Sequence, residues 1–93
     1  MDIFKEYLIH SYLYYSQDAP IISDHEFDAL CKELNKTFNT LESPFKNILI
    51  QNNDNPPHIK GLNLLEYPNE IVMVGNSRLD DYKATWDIFQ KLN

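Results

Sequence analysis

Ninety-three residues make one small domain, or one domain with a trailing arm, and a chain this short buries a limited fraction of its surface. A 43% apolar share with 13% aromatic excludes wholesale disorder, and six Tyr, five Phe and one Trp make the core a matter of rings. Fourteen acids against eight scattered bases give a net charge of −6, which excludes a direct grip on a nucleic-acid backbone, and one cysteine excludes an intrachain disulfide or a thiolate metal cluster.

The chain opens on helical spacing from Asp2 to about Ser16. Phe4, Leu8, Tyr12 and Tyr15 share a face, with Tyr7 and Tyr14 on an adjoining stripe one heptad apart. Gln17-Asp18-Ala19-Pro20 then stops the helix, since Pro20 disfavours helical geometry for the residue before it. The next start is fully signalled. Ser23 is a good N-cap, Glu26 three residues later closes a capping box, and Ile22 with Phe27 suits a hydrophobic staple. Phe27, Leu30, Cys31 and Leu34 supply the stripe that packs back on the first helix, so a helix is predicted from Asp24 to about Lys36. Cys31, on that stripe, reads as an inert core thiol.

From Thr37 to Lys60 the pattern decays. Ser43-Pro44 and Pro56-Pro57 break structure, and Gln51-Asn52-Asn53-Asp54-Asn55 reads as a polar linker. Ile48-Leu49-Ile50 suits either a strand or a docked turn. Glu70 to Gly75 reads as a strand ended by glycine, which makes a two-stranded ribbon available, and Gly75-Asn76-Ser77 reads as a turn. Leu79, Tyr82, Trp86 and Phe89 return to helical spacing, predicting a last helix from about Asp80 to Leu92 with Ser77 or Asp80 as cap. Trp86, Phe89 and Tyr82 are the core face of that helix, or a docking face if exposed. The expected fold is mainly α: a small helical hairpin domain over 1–40, a linker over 41–62, and a strand plus C-terminal helix packing on it over 63–93, with a short β-ribbon as an option. No signal peptide or apolar run of membrane length is present, so the chain is expected to be cytoplasmic, without membrane contact.

The chemistry concentrates between the two N-terminal helices. Tyr14 and Tyr15 end one helix, and Asp24, Glu26 and Asp28 begin the next. In a helical hairpin those ends are neighbours, forming a notch walled by rings and rimmed by carboxylates. A nicotinamide ring on ribose carries positive charge that aromatic faces attract, and carboxylates accept hydrogen bonds from ribose hydroxyls or a carboxamide. The same acids also suit a helix start that binds nothing, because capping and the helix dipole need no ligand. His10, His25 and His58 have no companions at ligand spacing, so no metal site is expected.

The pattern Tyr14-Tyr15, Asp18-x-Pro20, Ser23-Asp24-x-Glu26-Phe27-Asp28-x-Leu30 and Glu33-Leu34 resembles the N-terminal domain of bacterial NAD-dependent DNA ligases. In that family the domain recognises the nicotinamide mononucleotide (NMN) half of NAD and orients it as leaving group, while a separate nucleotidyltransferase domain takes the AMP. The resemblance implies ligand contacts at Tyr14, Tyr15, Asp24, Phe27 and Asp28, a structural part for Asp18, Pro20 and Leu30, and a place in DNA replication and repair. Phe27 stands where the family usually has tyrosine, which keeps the ring and loses a hydroxyl. The family's catalytic Lys-x-Asp-Gly is absent from these residues. No catalytic residue is therefore expected, and the implied partner is a protein bearing the nucleotidyltransferase core. The alternative is a small acidic interaction protein that keeps the scaffold and binds a protein partner such as a ligase.

Overall fold

The computed structural model describes residues 2–52 and 67–91. Four α-helices follow in order: α1 (Ile3–Ser11), α2 (Asp24–Thr37), α3 (Lys46–Asn52) and α4 (Asn69–Lys91), with a π-helical turn, Tyr12–Ser16, continuing α1. The fold is mainly α, and no strand occurs among the described residues. The Asn-rich stretch from residue 53, Pro56-Pro57, His58 and Leu92 lie outside them.

Helix α1 is the hub. Phe4, Tyr7, Leu8 and Ile9 are buried, as are Tyr12 and Leu13 beyond it, so apolar side chains leave the helix in every direction. Both α2 and α4 pack on it, and the π turn packs on α4. Asp2 caps α1 by accepting from the Phe4 and Lys5 amides at 3.0 and 3.3 Å, and Ser43 donates to its other oxygen at 2.6 Å. Helix α2 starts as its sequence dictates. The Glu26 amide donates to Ser23 Oγ at 3.1 Å, and the Ser23 amide donates to Glu26 Oε1 at 3.2 Å. Its apolar stripe, Phe27, Cys31 and Leu34, is buried against α1.

Three expectations are overturned. Ile48-Leu49-Ile50 lies in α3, neither strand nor docked turn, and Leu49 is fully buried. The Glu70 to Gly75 run is the opening of α4, so the ribbon does not form and Ser77 and Asp80 are interior helical positions, not caps. Gly75-Asn76-Ser77 is accordingly helix rather than turn. The physical reason is contact. Ile71, Gly75 and Leu79 are the buried residues of α4, and their i, i+4, i+8 spacing is realised only if the helix runs through the β-branched segment. Packing against α1 thereby overrides the β-propensity of Ile71, Val72 and Val74. Two ion pairs fasten the same interface. Lys5 meets Glu70 at 3.0 Å, and Arg78 grips Glu6 through both guanidinium nitrogens at 2.9 and 2.8 Å.

Beyond Leu79 every described residue of α4 is exposed. Tyr82, Trp86 and Phe89 are 40%, 46% and 57% exposed, so the aromatic stripe is not a core face of the last helix.

Candidate functional site

The π turn decides how the tyrosines are presented. With regular α geometry Tyr15 would continue the Phe4–Leu8–Tyr12 stripe into the core. The wider turn, closed by the Gln17 amide on the Tyr12 carbonyl at 3.1 Å, rotates Tyr15 out of that stripe and leaves it 38% exposed. The chain then reverses over Asp18, whose φ is 49°, a left-handed conformation that a short polar side chain tolerates. The Ala19 amide reaches back to the Leu13 carbonyl at 2.9 Å and seals the reversal. Asp18-x-Pro20 is therefore the hinge that returns the chain towards α2.

The reversal sets Tyr14 and Tyr15 beside the first two turns of α2. Tyr14, Tyr15, Asp24, Phe27, Asp28 and Cys31 line one open notch of about 190 Å³. All five residues expected from the sequence thus meet in one place. Tyr7, Phe27 and Tyr14 form an aromatic ladder, with centroids 5.9 and 5.4 Å apart and planes within 8° and 13°. Tyr15 stands edge-on to Tyr14 at 4.9 Å and to Phe27 at 6.3 Å. Phe27 is buried at 7% exposure, so its edge rather than its face reaches the notch, and the ring surface on offer belongs to Tyr14 and Tyr15. Burial raises the Tyr15 phenol above its ordinary value, with Tyr14 adding in the same direction, so it is a neutral donor at physiological pH.

Asp24 and Asp28, one turn apart on α2, form the acidic rim, both exposed. Asp28 pairs with Lys32 at 3.1 Å, an ion pair open enough to water for a ligand to compete with it. Glu26 does not line the notch. It remains with the capping box, whose hydrogen bonds from Ser23 hold its carboxyl below the usual range.

Cys31 is the lining residue that the sequence reading assigned only to the core. It is both. It packs on the apolar stripe at 5% exposure and closes one wall of the notch beneath Asp28, three residues away. The signal was available, since positions 24, 27, 28 and 31 share one helical face. Burial, followed by the Asp28 charge, pushes its thiol up to about 11, so it is a neutral wall and no nucleophile.

A second concavity of about 250 Å³ lies on α4 between Tyr82, Thr85, Trp86 and Phe89. Among the described residues no charged group lines it, and Thr85 donates its hydroxyl to the Asp81 carbonyl at 2.9 Å, so these residues offer little means of orienting a polar ligand. Among the described residues no group of His, Cys, Asp and Glu is arranged to hold a metal ion, and no helix is long and apolar enough to cross a membrane.

Residues 4–52, which contain the π turn, the reversal and the whole notch, match the model of the DNA ligase-like, N-terminal NAD+-binding domain. The chain belongs to that family. No curated protein and no solved structure matches it. For this NAD+-binding domain, the matched segment ends with α3, so α4 lies outside it while packing directly on its π turn.

Proposed function

We propose that the chain is a nicotinamide-nucleotide recognition module: it binds the NMN half of NAD in the notch and acts with a nucleotidyltransferase core carried by a separate adenylation subunit. The observation that carries this reading is the meeting of Tyr14, Tyr15, Asp24, Phe27 and Asp28 around one opening, rings on one wall and carboxylates on the rim. A positively charged nicotinamide ring gains from the faces of Tyr14 and Tyr15, and Phe27 fixes their orientation. Asp24 and Asp28 accept hydrogen bonds from ribose hydroxyls or the carboxamide. The volume is below the roughly 300–1,000 Å³ of pockets that enclose a whole small ligand, which suits half of a dinucleotide.

These residues contain no Lys-x-Asp-Gly, so the chain supplies no nucleophile. A lysine of the core attacks the α-phosphorus of NAD, forming the P–N bond to AMP. The P–O bond to NMN breaks and NMN departs with the electron pair. The notch contributes by holding NMN so that it departs in line. That role places the chain in DNA replication and repair and leaves contact with DNA to the core.

Titration followed by amide shifts tests the reading. NMN, and NAD through its NMN half, is expected to shift residues of the π turn and the start of α2 with a Kd on the order of 0.1–1 mM, as suits a shallow site, whereas AMP leaves them unmoved. The chain is also mixed with a ligase core stripped of its own N-terminal domain. Adenylylation of the core from NAD, abolished by Asp28→Ala, is the expected result. An equal response to AMP, or no rescue of several such cores, contradicts it.

One observation favours the alternative of a small acidic interaction protein on the same scaffold: the uncovered Tyr82–Trp86–Phe89 stripe, a face suited to a protein partner such as a ligase. Tight binding to an intact ligase without any response to NMN selects it.

A further inference from the structure

The π turn that presents Tyr14 and Tyr15 packs on α4, which contributes no residue to the lining of the notch. The first residue of the turn, Tyr12, is only 5% exposed and brings one edge of its ring close to Gly75 of α4. A Cβ at position 75 would sit 2.7 Å from Tyr12 Cδ2 and 3.0 Å from Cε2, closer than real contacts allow, so the approach depends on glycine at this position. The Tyr12 hydroxyl donates to Asn76 Oδ1 at 2.8 Å. The Tyr12 ring meets Tyr67 edge-on at 5.4 Å, and the Tyr67 hydroxyl lies 2.8 Å from Ser11 Oγ, the last residue before the turn. Four contacts made by three residues, Tyr67, Gly75 and Asn76, thus fix the start of a π turn that is intrinsically less favourable than α geometry. All of those residues lie outside the segment that matches the family.

We propose that Gly75 and Asn76 are positioning residues for the nucleotide notch: by pinning Tyr12 they hold the π turn in the form that turns Tyr14 and Tyr15 towards Asp24 and Asp28. Helix α4 is then a working part of the site, although it makes no contact with the ligand. This inference rests on the reading of the notch as an NMN site. Relaxation of the turn to α geometry would carry Tyr15 back onto the buried stripe and dismantle the ring wall while leaving the hairpin folded.

The test uses the full chain with NMN as probe and a double-mutant cycle. Tyr12→Phe removes the donor and Asn76→Leu the acceptor. Each is expected to weaken NMN binding about three- to tenfold, and the double variant no more than either alone, because one hydrogen bond is lost in all three. Asn76→Asp keeps an acceptor oxygen and is expected to bind as the parent does. Glu70→Gln loosens the α1–α4 interface at the Lys5 ion pair, away from the turn, and leaves affinity unchanged; a loss there equal to that of Asn76→Leu marks a merely structural effect and overturns the proposal. The ring-proton shifts of Tyr14, Tyr15 and Phe27 are read without ligand in every variant. Movement in Tyr12→Phe and Asn76→Leu but not in Glu70→Gln supports positioning; unmoved rings with unchanged affinity overturn it. If the parent chain binds no NMN, the notch reading fails, and the ring shifts alone still decide whether α4 sets the turn.

Discussion

Aromatic side chains reach the surface at two ends of this molecule, and the two ends differ in what surrounds them. At the notch, Tyr14, Tyr15 and Phe27 are parts of a ladder that continues through Tyr7 into the core, and two carboxylates stand on the rim. On the distal half of α4, Trp86 stands edge-on to Phe89 at 5.8 Å, Tyr82 precedes them by one turn, and among the described residues no charged side chain lines the concavity between them. The larger cavity belongs to the second region and the more specific chemistry to the first. Volume and apolar area identify a place to bury surface, whereas recognition of a polar, charged ligand needs rings and hydrogen-bond acceptors held in one fixed geometry. The difference also predicts how firmly each region is built: the notch hangs on the core, and the α4 stripe lies on the exposed half of its helix.

The largest expected effect lies beneath the notch. Leu8 is fully buried in the hub helix, and Leu8→Ala is expected to cost about 2–5 kcal/mol, measured by urea unfolding. In a small domain that is a large part of the total, and the ring ladder is expected to loosen with it. A loss below about 1 kcal/mol would mean that α1 is not the hub.

Next comes the N-terminus of α2, which carries the acidic rim. Ser23→Ala removes the acceptor for the Glu26 amide and is expected to cost about 1 kcal/mol. An unchanged melting temperature would show that the capping box contributes nothing, and Asp24 would lose its structural anchor.

How far these regions were legible in the sequence follows the range of the interactions. The capping box and the Asp18–Pro20 stop are decided within a few residues, so they read directly. The notch could be read because its two walls are consecutive helix ends joined by a short reversal. The π turn could not, since Tyr12–Ser16 has ordinary helical spacing and its widening is tied to contacts with Tyr67, Gly75 and Asn76, more than fifty residues away. The same contacts explain the strand error. Glu70 to Gly75 has β-branched composition, and only the buried face offered by α1 makes helix the better answer. Local signals specified the candidate site, and long-range packing specified the element that supports it.

A smaller effect separates the two α1 faces by pH. His10, on α1, is held below the ordinary imidazole value of 6.5, chiefly by burial; Arg78 acts in the same direction, and Glu6 and Glu26 oppose. The folded state therefore binds fewer protons than the unfolded state in the window between that lowered value and 6.5, and stability falls as pH drops through it. His10→Gln is expected to flatten the dependence of the urea midpoint over that window. A parent protein equally stable on both sides of it would contradict the burial of the imidazole.

The smallest expected effect is at Trp86, and it bears on the comparison most directly. The side chain is 46% exposed, and the described residues of α4 beyond Leu79 are all exposed, so it lies on the surface rather than in the core. Trp86→Ala should then change stability by no more than about 0.5 kcal/mol, the range of surface substitutions. The same reasoning sets the dynamics. The described residues of this half of α4 are exposed throughout, and an isolated helix shorter than about 12–15 residues is marginal in water. Amide exchange in α4 should accordingly be slow around Ile71, Gly75 and Leu79 and fast beyond them. The indole should also emit at the wavelength of a solvated ring. A blue-shifted emission, slow exchange out to Phe89, or a loss of 2 kcal/mol or more would mean that the stripe is covered in solution. The contrast between a built notch and an unsupported stripe would then fail, and the partner-binding reading of the chain would gain at the expense of the nucleotide-binding one.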